Sequence, residues 1–326
     1  MYQRKSFLFV LILALFFCLI LAACSGGGGG GTLPPTPELY VTNSKSYTVS
    51  VFDPSVSGNV NALRQFGSIT GLSYPYGIAV DTVNNQIFVT NYYNNSITVY
   101  GRTDTGNVTP ARTISGASTG LSHPFGIAVD TVNNQIFVAN GGNNSITVYG
   151  RTDTGDVAPA RTISGASTGL SHPYSIALDM VNNQIFVANG GNDSITVYGR
   201  TDTGNVAPAR TISGVSTGLS APNSIAVDTV NNQIFVTNYL NNSITIYGRT
   251  NTGNVAPART ISGASTGLTG PFGIAVNTVN NQIFVSNAYN NSITVYGRTD
   301  TGDVTPARTI SGASTGLSGP WGITLQ

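Results

Sequence analysis

Residues 124–172 read PFGIAVDTVNNQIFVANGGNNSITVYGRTDTGDVAPARTISGASTGLSH, and the prolines heading this stretch and its copies are Pro75, Pro124, Pro173, Pro222, Pro271 and Pro320, each 49 residues after the last. A near-verbatim repeat of this length marks a modular fold whose units bury their apolar faces on one another. Phe125 to Asp130 alternates Ile127 and Val129 with Gly126 and Ala128, the period of a strand. Gln135 to Asn140 is apolar on both sides, as a strand covered on both faces must be. Ser145 to Tyr149 alternates again, and Arg161 to Ser164 is a weaker fourth strand. The connections TVNNQ, GGNN and RTDTGDVAP hold residues that tolerate turns, and no apolar run is long enough to predict a helix. Four-stranded units every 40 to 50 residues predict a β-propeller; a parallel β-helix needs a much shorter repeat.

The two ends set the number of blades. ELYVTN at 38–43 matches a second strand, and YTVSVFD and ALRQFGSI follow as third and fourth, with no first strand before them. Trp321 to Leu325, WGITL, is a lone first strand. Together they make one blade beside five intact repeats, so residues 38–326 are expected to form an all-β, six-bladed β-propeller closed by pairing the C-terminal strand with the N-terminal blade. Such closure also hides sheet edges that would otherwise invite aggregation.

The segment before the repeats predicts a destination. Arg4 and Lys5 precede an apolar run from Phe7 to Leu21, shorter than a membrane span needs. The exit Leu21-Ala22-Ala23-Cys24 resembles the bacterial lipobox. That resemblance implies a signal peptide at 1–23, lipid attachment at Cys24 and a cell-envelope location. With Ser25 next, it implies the outer membrane if the source is Gram-negative. Acyl chains would make a stable anchor, and the Gly/Pro-rich residues 24–37 a tether. Cys18 would leave with the signal, so no disulfide framework is expected. Charge is sparse and balanced, which excludes the basic stripe that nucleic-acid binding calls for. A monomer is expected, with the membrane as one partner.

Tyr40-Val41-Thr42-Asn43 spells YVTN, and IFVTN recurs at Ile87 and Ile234. These residues resemble the YVTN and NHL group of β-propeller repeats, over essentially everything after the tether. The unit is longer than that group's, and six blades stand where seven are usual. The resemblance implies a fold rather than an activity.

Differences among the copies point to one face. DTVNNQ and GRTDTGNVAPAR are nearly constant, whereas the loop into the first strand and the loop after the second vary. Both variable loops emerge on the same face of a propeller, where function is commonly carried. The residues after the prolines, Tyr76, Phe125, Tyr174, Asn223, Phe272 and Trp321, would ring the channel mouth, and Asn223 would open a polar notch in that ring. Tyr92, Tyr93, Tyr239 and Tyr289 would lie further out. These are candidate ligand-binding residues for a protein or glycan; packing on the neighbouring blade is the other reading of the inner ring. His123 and His172 occupy equivalent places in adjacent blades and are candidates for ligation or acid–base work.

No metal or other cofactor is expected. TDTGD lacks the alternating acids and the glutamate of a calcium loop. The aspartates Asp81, Asp130, Asp179 and Asp228, with Asn277 in the last copy, are expected to cap the loop that follows them. The arginines, such as Arg151 and Arg161, are expected to bridge blades through Asp153 or backbone carbonyls. Three functions remain: a binding module acting through the variable face, a structural surface-layer or spacer protein, and a lactonase-like hydrolase. Six-bladed calcium-dependent lactonases gather a glutamate and other acids or amides at the channel mouth to hold the ion. Glu38 is the one glutamate in this chain, and near-identical copies are a poor way to assemble an asymmetric catalytic set. No catalytic residue is assigned.

Overall fold

A computed structural model of the protein describes residues 37–67 and 71–326. The expected signal, Cys24 and the tether up to residue 36 lie outside the described residues. The rest forms six four-stranded antiparallel sheets arranged as a six-bladed propeller.

The second blade shows the pattern. Its inner strand is Pro124–Asp130, followed by Gln135–Asn140, Ser145–Gly150 and the outer strand Arg161–Ser164. The inner strand therefore takes in the proline itself, and the third runs on to the glycine. The other inner strands are Pro75–Asp81, Pro173–Asp179, Pro222–Asp228, Pro271–Asn277 and Pro320–Leu325. The blades that follow the first four prolines and Pro271 are called I to V. The sixth, closing blade joins Pro320–Leu325 to Leu39–Asn43, Thr48–Phe52 and Arg64–Gly67. The register runs Leu39 to Leu325, Tyr40 to Thr324 and Val41 to Ile323. Short 3-10 turns at Ala166–Thr168, Ala264–Thr266 and Ala313–Thr315 had no signal in the repeat.

Each apolar cluster is shared by two blades. Phe137, Ala139 and Ile146 of blade II, for example, pack with Ile176, Ile185 and Tyr198 of blade III. Beyond the glutamine that opens five of them, the second strands are buried because a sheet lies on each side of them. Each buried Ile, Val or Phe contributes roughly 1.5–3 kcal/mol, so the stability sits between blades rather than within them. The outer edge is covered as well: Gly155 of blade II pairs with Ile114 of blade I, and the same bridge recurs at every junction, ending with Gly58 on Ile310. That is what the constant TDTG loop does, since a paired edge cannot recruit another chain.

The constant loops also hold an ionic clasp. Asp130 accepts hydrogen bonds from the Val132 and Asn133 backbone and pairs with Arg200 of blade III. Asp81, Asp179 and Asp228 do the same with Arg151, Arg249 and Arg298. The capping role is as expected, but the acid that meets Arg151 is Asp81 of the preceding blade. Asp153 instead accepts the Gly150 N–H. Arg112 and Arg161 reach the backbone carbonyls of Arg151 and Arg200.

Two junctions depart from this clasp, and both departures are compensated. In the closing blade Gln326 follows the inner strand where Asp81 stands in blade I. Glu38 takes the place of Gln86 and pairs with both Arg64 and Arg102. The acid has moved one strand across. At the blade V junction, Pro54 stands where an arginine is expected, its carbonyl taking Arg308 as the Arg151 carbonyl takes Arg112. Its acid is replaced by neutral Asn277, so no carboxylate is buried there without a guanidinium.

Candidate functional site

The residue before each proline is left-handed in every copy: Tyr74, His123, His172, Ala221, Gly270 and Gly319 have φ between 44° and 60°. In five of the six its N–H donates to the preceding blade, as from His123 to Asn95 and from His172 to Asn144, each at 2.7 Å. These cross-blade bonds hold a backbone state that side chains rarely adopt. They place the residue after the proline at the head of its inner strand.

Those residues form an arc. Phe272 stacks on Trp321 at 3.6 Å, Trp321 on Tyr76 at 4.0 Å and Tyr76 on Phe125 at 5.1 Å, and Phe125 meets Tyr174 edge-on at 4.6 Å. Asn223 fills the sixth place, between Tyr174 and Phe272 in ring order. The inner ring therefore packs against its neighbouring blades, and Tyr76, Phe125 and Phe272 are buried in doing so. Both faces of the Trp321 indole are covered. Ring edges and polar tips are what the arc has left to present.

The close approach of the inner strands explains the small residues there. A Cβ on Gly77 would stand 2.2 Å from the Phe125 carbonyl oxygen, and one on Gly322 2.2 Å from that of Tyr76. Hydroxyls tie this layer together. Thr42, Thr90, Thr237 and Ser286 donate to the carbonyls of Tyr76, Phe125, Phe272 and Trp321 in the next blade. Blades II and III have Ala139 and Ala188 there instead. The blade after each then carries Ser175 or Ser224 in place of glycine, and these accept the Ile225 and Ile274 N–H groups.

The arc separates two cavities. Below it a channel of about 380 Å³ runs between the six inner strands. Above it a cup of about 540 Å³ opens on the variable face. Tyr76, Phe125, Tyr174, Asn223, Phe272 and Trp321 line the cup from below, and Tyr92, Tyr239 and Tyr289 form its walls. Tyr239 and Tyr289 are hydrogen-bonded through their hydroxyls. Tyr93, His123 and His172 do not line it. Tyr93 is exposed against Tyr74, and the His123 ring stacks on Tyr92 at 4.6 Å.

Tyr74 and Lys45 are among the lining residues that were not candidates from the sequence. Lys45 lies in the closing blade's counterpart of the YYNN loop, and aligning NSKSYT (43–48) with NYYNNS (91–96) would have found it. It is the one charged side chain lining the cup, and no described acid pairs with it.

Asn223 is 5 % exposed, lines both cavities and has no side-chain hydrogen bond among the described residues. The indole N–H of Trp321 and the hydroxyls of Tyr76 and Tyr174 are likewise unpartnered among them. None of these atoms is sealed from the cavities. Burial, then the neighbouring phenols, pushes Tyr76 above its ordinary value, and burial does the same for Tyr174. Both therefore stay protonated hydrogen-bond donors at neutral pH.

No group of three or more His, Cys, Asp or Glu among the described residues is placed to hold a metal ion. Glu38 lies at the far end of the inner strands: its backbone pairs with Gln326, and its carboxylate is taken by Arg64 and Arg102. The arrangement is one of donors, aromatic edges and a single cation.

Comparison with known proteins agrees with the architecture. Residues 72–100 match the NHL repeat. A chain of a nidogen–laminin complex superimposes with a TM-score of 0.66 at 17 % identity, over 89 % of this chain and 98 % of that one. A functionally unknown protein from Desulfotomaculum acetoxidans gives 0.58 at 15 % identity, over 89 % and 99 %. Both likenesses concern the fold alone. No curated protein matches the chain. The sequence model described as "Lactonase, 7-bladed beta-propeller" matches residues 111–316. That match spans more than half of the chain, which belongs to this family and carries six blades where the description has seven.

Proposed function

We propose that the protein is a lipid-anchored binding module of the cell envelope that takes its ligand in the cup on the variable face. The observation that carries this reading is the concentration of difference. Copies that agree almost everywhere else diverge in the loops that build one concave, aromatic-walled cavity. A cavity of this size, apolar with a few convergent polar groups, is the usual form of a ligand site.

The anchor rests on the Leu21-to-Cys24 exit, outside the described residues. It is consistent with the geometry: the described chain starts at Pro37, beside Glu38 and Gln326, at the opposite end of the inner strands from the cup. Replacing Cys24 with serine should release the protein from the membrane fraction.

Family membership favours a second reading, a lactonase-like hydrolase. Against it, no residue lining the cup is acidic and neither histidine lines it, so no carboxylate or imidazole stands ready there for general acid–base work. The test is a thermal-shift screen of the purified full chain against glycans, envelope extracts and divalent ions, with a lactone-hydrolysis assay alongside. A ligand whose shift disappears with Tyr92→Ala and Tyr239→Ala supports the binding module. Lactone turnover lost with those substitutions would replace it with the hydrolase. No response to anything would favour a structural spacer.

A further inference from the structure

The cup is asymmetric in its chemistry although the ring is nearly symmetric in sequence. Every polar group that its lining leaves open at the arc is a donor or can act as one: the Asn223 carboxamide, the Trp321 N–H and the Tyr76 and Tyr174 hydroxyls. The aromatic surface there consists of edges, which carry the positive end of the ring quadrupole, because stacking has covered the indole on both sides. The cup's one charge is the Lys45 ammonium at its wall. A neutral sugar that needs an open indole face finds none. An acceptor-rich anion finds every feature it needs.

We propose that the cup binds a small carboxylate-bearing ligand, its carboxylate held by Lys45 at the wall and its other acceptors by Asn223, Trp321 and Tyr76 at the floor. This rests on the reading of the cup as a binding site. Asn223 is the strongest single indication, since its carboxamide is 5 % exposed, has no protein partner and opens on the cavity, where an acceptor of the ligand can take its N–H groups. A volume of about 540 Å³ accommodates one or two rings. A free aromatic acid and a sugar acid share the chemistry required.

The experiment is calorimetric titration of the full chain with 4-hydroxybenzoate and glucuronate, each paired with a neutral counterpart, 4-hydroxybenzyl alcohol and glucose. At least one acid should bind at least about tenfold more tightly than its counterpart. Lys45→Gln and added salt should each weaken it about tenfold, Lys45→Arg should largely preserve it, and Asn223→Leu should weaken it without altering the salt dependence. Which acid wins identifies the source of the carboxylate. Equal binding of acids and neutral counterparts, or binding indifferent to Lys45→Gln, overturns the proposal. If that binding is still lost with Tyr92→Ala, the cup remains a binding site. Failure of both acids overturns the proposal as well, and the thermal-shift screen then decides separately whether the cup binds anything.

Discussion

Trp321, in the last strand of the chain, stacks on Tyr76, in the inner strand of blade I, with ring centroids 4.0 Å apart and planes 21° from parallel. One contact thus joins closure of the ring to the floor of the cup. Trp321→Ala removes both this stack and the one on Phe272, and should cost about 3 kcal/mol. Deleting residues 321–326 should leave an open or aggregating ring. Denaturant unfolding and size-exclusion chromatography check this; a truncated protein as soluble and stable as the parent would contradict closure by the last strand.

The absent clasp at Asn277 is a matched pair of changes, and it can be rebuilt. Asn277→Asp alone puts a carboxylate at the junction where Pro54 stands in place of the partner arginine, and should destabilise by about 1–3 kcal/mol. Adding Pro54→Arg should recover most of that loss. A double variant no better than Asn277→Asp would show that the clasp needs more of the blade than these two residues.

The hydroxyl layer offers a second exchange. Ser224→Gly removes the acceptor for the Ile274 N–H and should cost about 1 kcal/mol. Combining it with Ala188→Thr recreates the pattern of Thr90 and Gly126 and should restore stability. Gly77→Ala, by contrast, drives a methyl against the Phe125 carbonyl, and no second-strand change should rescue it. The midpoints of the three variants, measured side by side, test the ordering.

Stability should fall at both ends of the pH scale. Burial alone would raise Glu38, but the hydrogen bonds from Arg64 and Tyr40 and both guanidinium charges hold it below its ordinary 4.5. Its contribution is therefore complete above that value and drains away as pH falls through the lower folded pKa. Glu38→Gln should flatten this acid limb. Burial pushes Tyr149, Tyr198, Tyr247 and Tyr296 up to about 12 from 10.0. Each holds a carbonyl of the preceding segment, as Tyr149 holds Thr119. Their contribution is present below 10.0 and is lost as pH rises toward 12. Absorbance titration of the phenols should show these four ionising late, together with unfolding; ionisation near 10 in a folded ring would contradict their burial.

The strands, the six blades and the closure were legible in residues 38–326 because a strand's period and a turn's chemistry are local, and the 49-residue repeat multiplied each signal. The aspartate caps were legible for the same reason. The partner of Arg151 was not: Asp153 is near in sequence, but the acid it meets, Asp81, is brought close only by the packing of one sheet on the next. The chain also announced which face varies. Only the tertiary structure decided that Tyr76, Phe125 and Phe272 would be spent on stacking, that His123 and His172 would stay outside the cup, and that Asn223, expected at the mouth, would stand there without a protein partner. Copying writes the same residue six times around an axis, but each site combines residues from several blades, and that combination exists only once the ring has closed.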